Sequence, residues 1–257
     1  MSVQDNFQDN TVTLPIADCS QCPFRGKTLL MGRCMPGDTC ITATSGRQID
    51  RFLRINPAYA EHYLHDPFWE RRAIAVRYAP QKALLELVND EDEVVRRAVA
   101  YRLPATQLGT LINDTDREVR MTVADRIPAE QLEQLADDAD YIVRLTVARR
   151  LPQGRLFRLI RDPDMAVRKI VAERLPDVSL ALMAHDEAPE VRRIIAERID
   201  PEEAVALLHD PDWVVRYTAV QRVPADALRD FPDDPEPDVQ AAVVARLASP
   251  LQTPDIR

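Results

Sequence analysis

The sequence predicts an all-α protein, in which a solenoid of helical repeats follows a small N-terminal metal-binding domain. A 24-residue motif recurs eight times without an insertion, and all four cysteines of the 257-residue chain lie before residue 41. Repetition at a fixed period is typical of a solenoid, because each copy must bury its apolar face against its neighbours. We therefore divide the chain into a four-cysteine cluster domain at 1–48 and an array of about eight repeats at 49–257.

The cysteines come first along the chain and have the spacing C-x₂-C-x₁₁-C-x₅-C. They are Cys19, Cys22, Cys34 and Cys40. Four of the six glycines share this segment, which has too little hydrophobic periodicity to bury a core of its own, so a bound metal is expected to hold its shape. Thiolates suit iron–sulfur clusters and zinc alike, although zinc ribbons usually repeat a C-x₂₋₄-C pair that the second half lacks. The basic side chains Arg25, Lys27 and Arg33 would complement either anionic centre.

Three residue types mark the 24-residue period in the repeat array. An aspartate column comprises Asp66, Asp90, Asp114, Asp138, Asp162, Asp186, Asp210 and Asp234. A first arginine column comprises Arg72, Arg96, Arg120, Arg144, Arg168, Arg192 and Arg216, and a second comprises Arg102, Arg126, Arg150, Arg174, Arg198, Arg222 and Arg246. We expect these arginines to tie adjacent repeats together with the aspartates and to satisfy carbonyl groups at helix C-termini.

Each repeat contains two short helical segments. The aspartate is predicted to cap the first helix, with the proline of pairs such as Asp162-Pro163 at the first helical position. Val95, Val99 and Leu103 lie on one face, and Pro104 ends the segment. The second segment carries leucines three residues apart, as at Leu84 and Leu87. Because 24 residues are too few for two ordinary α-helices, we predict alternating α and 3₁₀ (or short α) segments.

The 24-residue period, the V-R-x-x-[AV]-A-x-R-[LI]-P core and the upstream cysteines together resemble the leucine-rich repeat variant proteins, from about Cys19 to Leu247. The resemblance implies a right-handed superhelical solenoid of alternating α- and 3₁₀-helices without a β-sheet. It also implies an N-terminal [4Fe-4S] cluster, with Cys19, Cys22, Cys34 and Cys40 as its ligands. With the resemblance included, this cluster is favoured over structural zinc, and disulfides or unmodified thiols rank last.

Composition and charge narrow the classes of partner and compartment. The net charge of -9 weighs against a general nucleic-acid binder, and no apolar run approaches the roughly 20 residues that would span a bilayer. The stretch Met1–Pro15 lacks the basic and apolar regions of a secretory signal. We therefore expect a cytoplasmic protein without a membrane partner, in a reducing compartment where clustered cysteines bind metal.

A protein partner is expected to bind where the residues opposite the apolar stripe vary between repeats. The predicted partner surface consists of Trp69, Tyr141, Leu145, Met165, Trp213 and Tyr217. Aromatic residues and methionine are enriched at interfaces. The alternative, that these side chains pack over the neighbouring repeat, stays open at this point.

No catalytic residue is predicted, because the sequence lacks a Gly-rich phosphate loop, a nucleophile elbow and a radical-chemistry cysteine triplet. No small-molecule substrate is evident, and we expect a protein that is not an enzyme. The favoured hypothesis is a redox-linked interaction protein that transfers electrons or reports oxidation state. The first alternative is a non-redox scaffold whose cluster or zinc caps the first repeat. The second is a regulator that contacts nucleic acid through arginines not used in packing.

Overall fold

The computed structural model describes residues 18–248, and these residues are mostly helical. No β-strand forms within that range, although an isolated bridge joins Met35 to Thr39. Met1–Pro15, for which no secretory signal is predicted, and residues 249–257 of the predicted array lie outside the described residues. No helix between residues 18 and 248 is both long enough and apolar enough to cross a membrane.

The repeats alternate one α-helix with one 3₁₀-helix, as predicted. The α-helices are α1 (Gly46–Ile55), α2 (Trp69–Tyr78), α3 (Glu93–Arg102), α4 (Arg117–Arg126), α5 (Tyr141–Arg150), α6 (Met165–Arg174), α7 (Pro189–Arg198), α8 (Trp213–Arg222) and α9 (Pro237–Ala248). The 3₁₀-helices are Pro57–Tyr63, Gln81–Leu87, Ala105–Leu111, Ala129–Leu135, Gln153–Leu159, Asp177–Met183, Glu203–His209 and Ala225–Leu228. The predicted fold class, an all-α array of alternating α- and 3₁₀-helices, is confirmed.

The chain forms two compact units, Met1–Arg126 and Ile127–Arg257. The described part of the first unit holds the cysteine segment and helices α1 to α4, and that of the second holds α5 to α9. The predicted boundary between residues 48 and 49 falls inside α1, so one helix begins in the cysteine domain and ends in the array. The domain limits themselves stay a prediction.

The core of each repeat is the apolar stripe that the sequence predicts. Val95, Val99 and Leu103 are fully buried, and Leu84 and Leu87 of the preceding 3₁₀-helix are buried as well. Helix α3 ends at Arg102, and Leu103 has the extended backbone expected of a residue before proline. A 24-residue repeat is too short for a second full α-helix. The buried leucine pair of the 3₁₀-helix therefore packs in the space between consecutive α-helices.

The predicted helix caps are wrong by two residues. Asp90 does not cap α3; its Oδ1 accepts a hydrogen bond from the Asp92 N–H at 2.9 Å, and Asp92 in turn accepts from the Val94 N–H at 2.9 Å and is the N-cap. The prolines shift likewise, since Pro163 lies in the turn two residues before α6 begins. The Asp90 carboxylate accepts the Asp92 N–H in an Asx turn and also binds an arginine from another repeat. The helix therefore begins after this turn.

The first arginine column ties adjacent repeats together, as predicted. Arg72 makes a bidentate contact with Asp90 of the next repeat, with distances of 2.9 Å from Nε to Oδ2 and 2.8 Å from Nη2 to Oδ1. Its Nη1 donates to the Asp66 carbonyl at 2.9 Å. The same bidentate pairing recurs in Arg96–Asp114, Arg144–Asp162, Arg168–Asp186, Arg192–Asp210 and Arg216–Asp234. Each arginine thus links its own repeat to the following one.

The second arginine column satisfies carbonyl groups at the C-terminus of the preceding α-helix, also as predicted. Arg102 donates to the carbonyl oxygens of Val76 at 2.9 Å and Ala79 at 3.1 Å, at the end of α2. Arg198 repeats the contact with Ala172 at 2.6 Å and Leu175 at 2.9 Å, at the end of α6. Helix ends leave four carbonyl groups without intrahelical partners, and here the next repeat supplies the donors.

Candidate metal centre

The first two cysteines lie on consecutive turns. The Cys22 N–H donates to the Cys19 carbonyl at 3.4 Å, and the Arg25 N–H donates to the Cys22 carbonyl at 3.1 Å. A π-helical turn, Arg25–Leu29, follows, closed by the Leu29 N–H donating to the Phe24 carbonyl at 3.2 Å. Such turns are rare and often occur at functional sites. The turn from Cys19 to Cys22 keeps these two cysteines close together before the chain reaches the other two.

The last two cysteines are brought side by side by a tight loop. Met35 and Thr39 exchange two backbone hydrogen bonds of 2.9 and 2.8 Å, so the residues just outside this pair, Cys34 and Cys40, face each other. Gly32 and Gly37 have φ values of +66° and +82°, which lie in the left-handed region that favours glycine. These two glycines let the chain turn on both sides of Cys34.

The cysteine segment is held against the first helices of its unit. The Cys40 N–H donates to the Gln48 carbonyl of α1 at 3.1 Å, and Asn56 Nδ2 donates to the Arg33 carbonyl at 2.9 Å. Phe24 packs edge-on against Phe52 of α1, with ring centroids 5.2 Å apart. The aromatic contact and the hydrogen bonds position Cys34 and Cys40 from opposite ends of α1.

The other three cysteines lie near enough to Cys34 to influence its ionisation. Cys34 and Cys40 are buried, and Cys19 and Cys22 are half-buried. Burial raises the pKa of Cys34 to about 11, and the charges of the other three cysteines add to the increase. Without a cation, the thiolate forms would therefore repel one another in a poorly solvated site. Bound iron would reverse this balance, because the charge of a metal favours the deprotonated form of a coordinated thiol.

Two features of the site test whether its residues fit an iron–sulfur cluster. The first is the set of four cysteines without a disulfide, since one thiolate for each iron is the usual ligand set of a four-iron cluster. The buried side chains of Thr28 and Gln48 also have polar atoms without a hydrogen-bond partner in the described part of the chain. Buried polar groups normally have partners, and sulfide or thiolate would accept their hydrogen bonds. The site fits a cluster.

The six residues of the predicted partner surface are divided between the two units: Trp69 belongs to the first and the other five belong to the second. Trp69, Tyr141, Met165 and Trp213 are exposed at the first residue of their α-helices, whereas Leu145 is half-buried. Trp213 and Tyr217 line a groove of about 750 Å³, beside Ala241 and Ala245 of α9. Their role as a partner surface stays a prediction.

Sequence reasoning missed several residues around the cysteines. Gln48, Thr28 and the half-buried Tyr63 lie in positions that no periodic pattern marks. Burial raises the pKa of Tyr63 to about 12, and Cys22 and Cys40 contribute, so its hydroxyl lies near these sulfur atoms. The exposed Leu30, Met31 and Met35 were also missed. Apolar residues in a glycine-rich segment, next to cysteines, are the signal that could have identified them.

Comparisons with known proteins agree with this architecture. Residues 15–62 match the family model "LRV protein FeS4 cluster", and residues 117–140 and 142–164 match "Leucine rich repeat variant". A solved structure described as "a leucine-rich repeat variant with a novel repetitive protein structural motif" is 60% identical, covers 90% of this chain and 99% of its own, and superposes with a TM-score of 0.84.

A curated relative matches a shorter stretch. It is the "Uncharacterized 27.7 kDa protein in nifB 3'region" of Rhodobacter capsulatus, 38% identical over 88 residues. The match spans 34% of this chain and 36% of that relative. Given the alternating helices, the cysteine site and the near-complete structural match, this chain belongs to the leucine-rich repeat variant family, and its cysteine segment is the iron–sulfur cluster domain of that family.

Proposed function

We propose that this protein is a cytoplasmic, redox-linked interaction protein whose [4Fe-4S] cluster, bound by Cys19, Cys22, Cys34 and Cys40, exchanges electrons with a protein partner. One observation carries the proposal: all four cysteines lie in the stretch that matches the family's iron–sulfur cluster model, residues 15–62, and Cys34 and Cys40 are buried there. When bound, the cluster supplies a one-electron couple. The role is binding and electron exchange, with no substrate turned over.

The protein's own residues would set the properties of that couple. Cys34 and Cys40 sit in a buried site, and Phe24, Phe52 and Tyr59 pack together beside it with ring centroids 4.9 to 6.2 Å apart. This aromatic group would exclude water from one side of the site. A change in the charge of the cluster would then be less well solvated, which affects its reduction potential. Gln48 and Thr28 offer buried polar atoms that would donate to sulfur. Hydrogen bonds to sulfur and burial are both known determinants of cluster potential.

The experiment that tests the proposal is anaerobic purification with iron, sulfide and zinc analysis, followed by voltammetry and electron paramagnetic resonance. We expect about four irons and four sulfides per chain, and a reversible one-electron couple. Cys34→Ser should lose most of the iron and sulfide, whereas Val178→Ser, at an exposed position in the second unit, should retain both. Zinc without sulfide would refute the cluster assignment.

A second candidate function, a non-redox scaffold, is favoured by one observation. The cysteine segment covers the start of the array, since Phe24 packs on Phe52 and Asn56 holds the Arg33 carbonyl. A terminal cap is a physical need of repeat arrays. A full complement of iron and sulfide with no reversible couple would favour this scaffold. Nucleic-acid contact ranks lower, because guanidinium groups from both arginine columns are engaged within the protein.

A further inference from the structure

Three large apolar side chains are exposed beside the cysteine site. Leu30, Met31 and Met35 are 80%, 62% and 59% exposed. Single exposed apolar residues are common, but three within six residues of a loop form a patch, and such patches mark interaction sites. Methionine suits an interface because its flexible, polarisable side chain adapts to a partner. The patch therefore needs an explanation that core packing does not provide.

Backbone geometry places this patch next to two cluster ligands. Met35 directly follows Cys34, so their Cα atoms are about 3.8 Å apart. The Met35–Thr39 bridge also puts Met35 beside the residue that precedes Cys40. Leu30 and Met31 occupy the same loop, which the Arg33 N–H closes on the Thr28 carbonyl at 2.9 Å. The exposed side chains thus belong to the loop that presents Cys34 and Cys40.

Three basic side chains lie in the same segment as the patch. Arg25, Lys27 and Arg33 are exposed, and within residues 18–248 none of the three forms an ion pair. The single acidic residue between Cys19 and Cys40 is Asp38, which pairs with Arg51 of α1. This part of the surface is therefore positive on a chain whose net charge is -9. A partner with a negative rim around an apolar centre would be attracted here and repelled elsewhere.

We propose that this surface, defined as the cluster loop surface (Arg25, Lys27, Leu30, Met31, Arg33 and Met35), docks a small acidic electron-transfer protein of the ferredoxin type. The inference rests on the proposed redox function. In the step it supports, one electron leaves the reduced partner, which becomes oxidised, and enters the cluster, which becomes reduced. No bond forms or breaks and no proton moves. Three cations on an acidic chain are too few to hold a polyanion such as DNA, which favours a protein partner.

The test uses the cluster-loaded protein and a plant-type [2Fe-2S] ferredoxin as the probe, with affinity measured by isothermal titration calorimetry at low and high ionic strength. Reversing Arg25, Lys27 and Arg33 to Glu should weaken binding at least about tenfold at low salt, because attraction becomes repulsion. The control reverses Lys82, Arg149 and Arg161 to Glu, three exposed basic residues whose reversal changes the net charge equally. The control should weaken binding about twofold or less. Met31→Ser with Met35→Ser should weaken binding without changing its salt dependence.

Voltammetry and stopped-flow absorbance separate this inference from the proposed function. Electron exchange with the ferredoxin is followed in the direction that the two measured potentials favour, and it should slow in the Glu variant but not in the control. A protein with no couple at the electrode would refute the redox function, while the calorimetry still decides the docking surface. No binding by the wild type, or equal weakening in both charge-reversal variants, would overturn the inference. So would binding of phosphatidylserine vesicles or single-stranded DNA through this surface, or self-association that Met35→Ser abolishes.

Discussion

At the residue scale, a single guanidinium group of the first arginine column binds both a carboxylate and a backbone carbonyl. Arg144 donates to both carboxylate oxygens of Asp162, at 2.7 and 2.9 Å, and to the Asp138 carbonyl at 2.7 Å. Both Arg144 and Asp162 are buried. Only arginine offers a planar set of donors that can reach a carboxylate and a carbonyl together, so lysine would not substitute for it.

We expect Arg144→Ala to lower the free energy of unfolding by about 3 to 5 kcal/mol, because it leaves the Asp162 carboxylate buried without its counter-charge. Urea denaturation followed by circular dichroism measures the change. The control is Arg193→Ala, whose partner Glu197 lies 3.3 Å away on the exposed face of α7. That substitution should cost about 0.5 kcal/mol or less. A loss of about 0.5 kcal/mol or less for Arg144→Ala as well would show that the buried pair adds nothing to stability.

Acid should break the same kind of contact at the end of the array. The Arg216 guanidinium, 2.7 Å from Asp234 Oδ2, and the Glu236 N–H hold the pKa of Asp234 below its usual value. A carboxyl whose folded pKa is depressed contributes stability above its unfolded pKa of about 3.9, and loses it as pH falls through the folded pKa. Stability measured from pH 6 downward should therefore fall less in Asp234→Asn than in the wild type. Parallel pH profiles would contradict this assignment.

At the element scale, the α-helices differ mainly in how they begin. Asp212 caps α8 by accepting hydrogen bonds from the Val214 and Val215 N–H groups, at 3.0 and 3.1 Å. Helix α7 has Ala188 in the same position, with a similar extended backbone and no side chain to accept a bond. Its first-turn N–H groups therefore lack the capping acceptor that α8 has.

Installing the missing cap should stabilise the second unit. We expect Ala188→Asp to raise the free energy of unfolding by about 0.5 to 2 kcal/mol and Asp212→Ala to lower it by a similar amount. Chemical denaturation of both variants provides the measurement. No change in stability for Ala188→Asp would contradict the inference that α7 lacks a capping acceptor.

The 3₁₀-helices contribute through one buried face. In Asp177–Met183, Leu180 is fully buried whereas Leu182 is 65% exposed. Leu180→Ala should cost about 2 to 5 kcal/mol, because it removes apolar contacts and leaves a cavity. Leu182→Ala, the same chemical change two residues away, should lie within about 0.5 kcal/mol of the wild type by the same denaturation assay. Similar losses at both positions would mean that this short helix is not packed as described.

At the scale of the whole molecule, each repeat of an array is stabilised by its contacts with the repeats on either side. The cysteine segment contacts α1 and the 3₁₀-helix Pro57–Tyr63 through Phe24, Asn56 and Cys40. Loss of the cluster should therefore loosen the nearest helices first.

Hydrogen exchange of Cys34→Ser should show this gradient. Amides of α1 and α2 are expected to exchange faster than in the cluster-loaded wild type, while those of α7 and α8 keep their protection. Mass spectrometry of peptic fragments resolves the two regions. Uniformly faster exchange along the chain would show that the cluster stabilises both units as one cooperative body.

Much of the fold could be predicted because the sequence repeats every 24 residues. The 24-residue spacing determined the alternating helices, the buried valine and leucine stripe, and the arginine–aspartate pairing, since every copy repeats the same local solution. The cysteine spacing indicated a metal site, and family resemblance identified its cofactor as an iron–sulfur cluster.

Only the tertiary structure decided that Asp92 and not Asp90 caps α3, and that Gln48 and Thr28 have buried side-chain polar atoms without hydrogen-bond partners among the described residues. It also revealed that Leu30, Met31 and Met35 are exposed in the cysteine segment. The physical reason is common to all three. Asp90 gives its carboxylate to an arginine 18 residues away, and the cysteine loop folds against α1, so the outcome depends on contacts between residues that no local pattern relates.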